Sequence, residues 1–359
     1  MPDRTRFGVK MENNGITGYN EGAMPVKRKL LYVIVILGGM LTSAAQSVIE
    51  PYRQITVSKE KGAAFQTIQE AVNATRDLGP GYVLIHIRNG VYREKVSIPG
   101  WKTKVILRGE SREGTVIVNS DFSGKKDSIT GQERTTFNSY TLLVEGNDFT
   151  AENLTVKNAS CGEGQAVALH VEGDRAVFRN CRILGCQDTV YAAAEGSRQY
   201  YENCYVEGTT DFIFGEATAV FSKCTIKSLR NSYITAAATP EGKDFGFVFL
   251  HCRLVAAEGV SGVFLGRPWR PYAKTVFISC NLGGHIVPEG WDPWKGDRMF
   301  PEKEKTAFYA EYDNTGPGAD TGKRVPWAKQ LTRKQYRSYT LRHILMGKEK
   351  ENPWYKRSL

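Results

Sequence analysis

The 359-residue chain has no run of about 18 or more apolar residues, so no segment is long enough to cross a bilayer as a helix. It has no pair of cysteines at the two-residue spacing of a zinc site, although seven cysteines are present. It has no dense acidic run of the kind that supplies the roughly six to eight oxygens of a calcium site. Regular Asn-Gly turn signals are sparse, which argues against a sandwich built from hairpins. Neither charge sign is absent. Lys and Arg number 48 against 38 Asp and Glu, a net +10 that is compatible with a polyanionic partner without naming it. With 41% hydrophobic and 24% charged residues the chain is neither disordered nor a polytopic membrane protein. The 36 glycines and the aromatic content of 11% lean toward strands and turns. The length allows roughly two domains, but single all-β domains often reach about 200–250 residues.

The N-terminus reads as an address. Leu30 to Leu41 carries no charge, Lys27, Arg28 and Lys29 precede it, and the small residues Thr42-Ser43-Ala44-Ala45 follow. This is the three-part pattern of a secretory signal peptide, against the competing reading of a short buried helix. The expected organisation is an extension upstream of the true start over residues 1–23, a signal peptide over 24–45 and one domain over 46–359. Cleavage after Ala45 leaves 42 basic and 35 acidic side chains, a net +7. No cysteine follows the cleavage point, so nothing there supports a lipid anchor. Export is expected, to the periplasm, the cell surface or the medium.

One unit repeats through the middle of the chain: an aromatic residue, two residues, Cys, one residue, an aliphatic residue. It reads Phe178-Cys181-Ile183, Tyr201-Cys204-Val206, Phe221-Cys224-Ile226, Phe249-Cys252-Leu254 and Phe277-Cys280-Leu282, with a weaker copy at Leu154 and Val156. Side chains alternate along a strand, so positions three apart cannot both face inward unless a corner resets the phase. Asn180, Asn203, Lys223, His251 and Ser279 occupy the corner, and Asn tolerates the left-handed conformation that a corner needs. Cys-to-Cys steps of 23, 20, 28 and 28 residues are short for propeller blades, which take about 40, and fit a solenoid. The expected fold is all-β, a right-handed parallel β-helix with a C-terminal tail packed on it. A short helix begins at the capping box Thr67-Ile68-Gln69-Glu70, buries Ile68, Ala71, Val72 and Thr75, stops before Gly79-Pro80 and caps the open first coil.

Stacked positions on adjacent strands lie about 4.7–4.9 Å apart, wider than the roughly 3.5–4.5 Å between bridged Cβ atoms. The five repeated cysteines are therefore expected as a ladder of buried free thiols. Cys161 and Cys186 fall off the ladder, and their state stays open.

Asp188 lies seven residues after Cys181 and Asp211 seven after Cys204, so the two carboxylates fall on equivalent positions of neighbouring coils. Like charges that close split their proton affinities, leaving one acid and one nucleophile or base. Gln165 is a further 23 residues upstream of Asp188, and Gln187 adjoins it; their amides can donate to a developing oxyanion. A single Asp in a solenoid would ordinarily be a turn residue.

The flanks decide otherwise. Gly90-Val91-Tyr92-Arg93-Glu94, Gln165-Ala166-Val167-Ala168-Leu169, Gln187-Asp188-Thr189-Val190-Tyr191, Asp211-Phe212-Ile213-Phe214-Gly215 and Leu265-Gly266-Arg267-Pro268-Trp269 occur in that order. Glu289-Gly290-Trp291, Tyr309-Ala310-Glu311-Tyr312 and Asn314-Thr315-Gly316-Pro317-Gly318 follow. With these blocks the chain, from about Gln54 onward, resembles the pectin methylesterase (pectinesterase) family, carbohydrate esterases on a right-handed parallel β-helix. The resemblance implies Asp211 as nucleophile, Asp188 as general acid and later base, Gln187 and Gln165 as oxyanion donors, and Arg267 holding Asp211 ionised by lowering its proton affinity. It implies substrate contacts at Trp269, Phe214, Tyr191 and Thr141. Val190 stands where Leu is common, and Glu216 where plant members usually have Asn, which points to a bacterial-type member.

The partners so implied are methyl-esterified pectin (homogalacturonan) and water, with no cofactor, no metal, no nucleic acid and no membrane span after signal removal, acting as a monomer. Two other readings of the same architecture are a lyase or polygalacturonase, and a non-catalytic glycan-binding β-helix.

Overall fold

The structure, a computed structural model, describes residues 51–357. The signal peptide and the upstream extension expected before residue 46 lie outside the described residues. Over the described residues the chain winds as a parallel β-helix of three sheets with 11, 8 and 7 strands, here called sheets 1, 2 and 3. One coil shows the plan: Ala176–Arg179 in sheet 1, Arg182–Leu184 in sheet 2, Val190–Ala192 in sheet 3, then Arg198–Glu202 back in sheet 1 beside Ala176–Arg179. Among the described residues no helix is long and apolar enough to cross a membrane.

The corner inferred from the repeat is the turn between sheets 1 and 2. Asn180, Asn203, Lys223, His251 and Ser279 all take left-handed φ values, from 47° to 55°. The phase reset lets the aromatic, the cysteine and the aliphatic residue of each coil point inward together. The aromatic rings stack coil on coil, with centroids 4.8 Å apart for Phe178–Tyr201, 4.4 Å for Tyr201–Phe221, 4.8 Å for Phe221–Phe249 and 4.3 Å for Phe249–Phe277. All five ladder cysteines are buried free thiols, as expected. The structure adds a role for them that spacing does not reveal. Each thiol donates to a main-chain carbonyl one coil back: Cys181 to Ala151, Cys204 to Phe178, Cys224 to Tyr201, Cys252 to Phe221 and Cys280 to Phe249, at 3.3–3.5 Å. A small apolar side chain with one weak donor suits a dry corner where a carbonyl needs a partner.

The helix Ile68–Asn73 carries the capping box, with Thr67 and Glu70 bonded reciprocally, and buries Ile68, Ala71 and Val72. Thr75 is also buried, but the helix ends at Ala74, before the expected Gly79-Pro80 stop, where the Thr75 hydroxyl donates to the Val72 carbonyl. Glu94, from the Gly90–Glu94 block, accepts from the free N–H groups of Ile68 at 2.9 Å and Gln69 at 3.0 Å. A carboxylate at a helix N-terminus satisfies orphan donors and opposes the positive end of the dipole. Glu94→Ala is therefore expected to lower unfolding stability by about 1–3 kcal/mol, measured by denaturant titration.

At the other end, Leu341–Met346 and Trp354–Lys356 cover the outer face of sheet 1, burying Ile344, Leu345, Trp354 and Tyr355 against Val177, Tyr200 and Val220. This is the packed tail that the sequence reading expected.

Candidate active site

The site stands on sheet 3. Register places His170, Tyr191, Phe214, Ala236 and Arg267 side by side on successive strands. Three residues earlier on each strand a second row runs Asp188, Asp211, Tyr233, Phe264. Backbone bonds from Asp188 N–H to Thr210 and from Asp211 N–H to Tyr233 carry the ladder through that row. The two aspartates are therefore on adjacent coils, about one strand spacing of 4.7–4.9 Å apart. Both take left-handed backbone, with φ of 64° at Asp188 and 48° at Asp211. Asp tolerates that region better than most residues, and strain of this kind is held where side chains must be aimed.

Asp188 and Asp211 are 5% and 6% exposed and share one pocket of about 90 Å³ with Gln165, Phe214 and Trp269. Arg267 grips Asp211 with two bonds, Nε to Oδ1 at 3.0 Å and Nη2 to Oδ2 at 2.6 Å. It reaches Asp211 from two coils away. The residue between Phe214 and Arg267 in the row is the small Ala236, which leaves the guanidinium a path. The guanidinium itself lies between two rings, 3.9 Å from the centre of Tyr233 and 3.6 Å from that of Trp294.

Two influences oppose each other at Asp211. Arg267 pulls its proton affinity down, but burial is the larger influence and pushes it up. Burial, then the Asp211 charge, drives Asp188 well above the usual range. Asp188 is thus raised further than Asp211, which the guanidinium contacts directly.

Gln165 enters the pocket, but not on the position the arithmetic gave it. Val167, not Gln165, lies beside Asp188, because Ala166 and Ala168 N–H groups bond to Gln187 and Thr189 carbonyls. Gln165 sits two residues earlier and is steered by Thr136, whose hydroxyl donates to its Oε1 at 2.8 Å. That leaves the amide NH₂ to donate. Gln187 is half-buried beside Asp188 and makes no side-chain hydrogen bond among the described residues. Tyr191 stacks on Phe214 at 4.6 Å, and Phe214 meets Trp269 edge-on at 5.8 Å, forming an aromatic wall. Thr141 is a second correction. It is wholly enclosed and its hydroxyl donates to the Lys157 carbonyl at 2.9 Å, so it supports the coil and offers no surface to a ligand.

Several pocket residues were not singled out from sequence: Thr136, Phe137, Ala236 and Trp294. Trp294, three residues after Trp291, carried a signal in its aromatic side chain and loop position. Ala236 carried none, since its contribution is being small. The open question over the two remaining cysteines resolves as a disulfide, Cys161–Cys186, with Cα atoms 5.3 Å apart. It ties the loop leading to Gln165 to the residue before Gln187. Replacing both with Ser is expected to cost about 2–4 kcal/mol, read by denaturant unfolding, and reductant should produce the same shift in the parent protein only.

Fold and site together define a right-handed parallel β-helix protein with a buried carboxylate pair in a cleft. Within that class the chain belongs to the pectinesterase family: the family profile, Pectinesterase, matches residues 54–348. A probable pectinesterase/pectinesterase inhibitor 64 of Arabidopsis thaliana is 37% identical over 320 residues, covering 82% of this chain and 51% of the relative. The chain thus spans about half the length of that relative. Pectinesterase QRT1 of Arabidopsis thaliana is 35% identical, covering 82% of this chain and 78% of its own length. Among solved structures, pectin methylesterase from carrot superposes with a TM-score of 0.75 at 33% identity, over 84% of this chain and 95% of that one. A pectin methylesterase in complex with a hexasaccharide gives 0.72 at 30% identity, over 83% and 98%.

Proposed function

We propose that the chain is an exported pectin methylesterase that hydrolyses the methyl esters of polygalacturonate, using Asp211 as nucleophile and Asp188 as acid and base. The observation that carries this reading is the pair of buried aspartates on adjacent coils with Arg267 bonded to one of them only. Asp211 attacks the carbonyl carbon of the ester. The amides of Gln165 and Gln187 receive the oxyanion, each worth about 2.7–4 kcal/mol of barrier. Asp188 gives its proton to the departing methoxide, methanol leaves, and an acyl-enzyme anhydride remains on Asp211. Asp188, now ionised, takes a proton from water; the hydroxide so formed attacks the acyl carbon and restores Asp211 and a free carboxylic acid.

Trp269, Phe214 and Tyr191 wall the cleft as sugar-facing surfaces. The basic chain favours holding an anionic polymer. Residues 24–45 act as the cleaved leader, residues 46–359 as the working domain, and the capped solenoid as a monomer. The decisive experiment is methanol release from methylated pectin, with and without a chelator. Methanol without chain shortening, insensitive to the chelator, is the expected result. Chain shortening would transfer the protein to the lyase or polygalacturonase reading, and binding without methanol to the glycan-binding one.

A further inference from the structure

Lys303 takes no part in the chemistry above, yet its side chain is 0% exposed. Lysine is almost never withdrawn from water so completely unless it is paired. Its ammonium donates to Asp297 Oδ2 at 2.7 Å and to the main-chain carbonyl of Trp269 at 3.4 Å, and stands 4.4 Å from the centre of the Trp294 ring. Asp297 is itself fixed, its Oδ1 accepting from the N–H groups of Met299 at 3.0 Å and Phe300 at 3.2 Å. One cation therefore joins a surface loop to the backbone of one tryptophan and the ring of another. Both tryptophans wall the pocket of the paired aspartates. The same Trp294 ring covers Arg267. Arg270 reinforces the arrangement, donating to the Trp269 carbonyl at 3.2 Å while lying against the rings of Trp269 and Phe300.

Stability alone does not call for a charge here. A methionine of similar length would fill the space without the cost of stripping water from an ammonium. What lysine supplies is direction: a bond aimed at one carbonyl and an attraction to one ring face. We infer that Lys303, held by Asp297, is a positioning residue that sets Trp269 and Trp294 at the angle that grips the sugar chain beside the reacting ester.

The inference rests on the esterase reading and predicts a particular kinetic signature. The two tryptophans line the pocket but supply no reacting group, so their loosening falls mainly on binding. Lys303→Met is expected to raise KM for methylated pectin about tenfold while kcat stays within about threefold. Asp297→Asn, which keeps the lysine but weakens its anchor, is expected to move KM in the same direction by less. Should Lys303→Met fail to fold, Asp297→Asn carries the test. A folded variant with lowered melting temperature and unchanged KM would mean that Lys303 only braces the loop, and would overturn the inference. Parent protein that releases no methanol would instead overturn the esterase reading beneath it.

Discussion

Asp211→Asn is expected to remove methanol release almost entirely, with kcat falling by about ten-thousandfold or more. The amide has no charge with which to attack the ester, and the other carboxyl of the pocket, Asp188, is engaged as the proton donor. Asp188→Asn is expected to fall to a similar floor for methyl esters, because methoxide is a poor leaving group without a proton. The two variants part company in stability. Asp188 is buried and its folded-state proton affinity is raised by burial. Such a group binds its proton more tightly when folded, so it lowers stability as pH rises through and above the unfolded carboxylate value. Asn at 188 removes that cost and is expected to raise the melting temperature at neutral pH. Asn at 211 strips Arg267 of its partner and leaves a guanidinium with 18% side-chain exposure unpaired. Burial raises the proton affinity of Asp211 as well, so Asn relieves part of a cost there too, and the melting temperature of this variant is expected to lie below that of Asp188→Asn. Thermal scans of the two variants beside the parent, with methanol assays on the same samples, check this order. Equal melting shifts would mean that the arginine does not distinguish the carboxylates.

The coil was legible because its repeat is carried by side chains that must all face one dry interior. Phe178, Cys181 and Ile183 announce a corner by their spacing, and Asn180 supplies the left-handed residue that makes it. The aspartates were legible for the same reason: no insertion separates Cys181 from Asp188 relative to Cys204 and Asp211, so sequence distance tracks coil position. Where a loop changes length the arithmetic slips. Gln165 is displaced from the Asp188 position by two residues, and the Cys161–Cys186 bond joins residues that share no repeat position. Thr141 shows the limit of local resemblance, since a hydroxyl at the edge of a motif can as well serve the backbone as a ligand. Lys303 was beyond sequence reasoning of this kind. It sits in a segment rich in Asp, Lys, Glu and Pro, which reads as solvated surface, and only the folded loop shows that its ammonium turns inward.

Arg267→Met is expected to shift the pH dependence of turnover in one direction. Under the proposed mechanism the parent needs Asp211 ionised and Asp188 protonated, so activity is expected to fail at low pH as Asp211 gains its proton and at high pH as Asp188 loses its own. Burial pushes both carboxyls up, and the guanidinium opposes that rise mainly at Asp211, through the two bonds it makes there. Without it, Asp211 binds its proton more tightly, and the acidic limb of kcat/KM should move to higher pH. Asp188 is farther from the guanidinium, so the basic limb should rise by less. The two limbs close on each other, and the maximum falls as fewer molecules hold the productive charge state. Methionine preserves an apolar filling between Tyr233 and Trp294, so the aromatic walls need not collapse. Arg267→Lys keeps a charge but not the two-pronged grip, and its acidic limb should lie between those of the parent and Arg267→Met. A pH–rate profile of all three proteins on methylated pectin decides the matter. If the acidic limb stays where the parent has it, the guanidinium does not set the charge of Asp211, and the choice of nucleophile between the two carboxylates must rest on geometry alone.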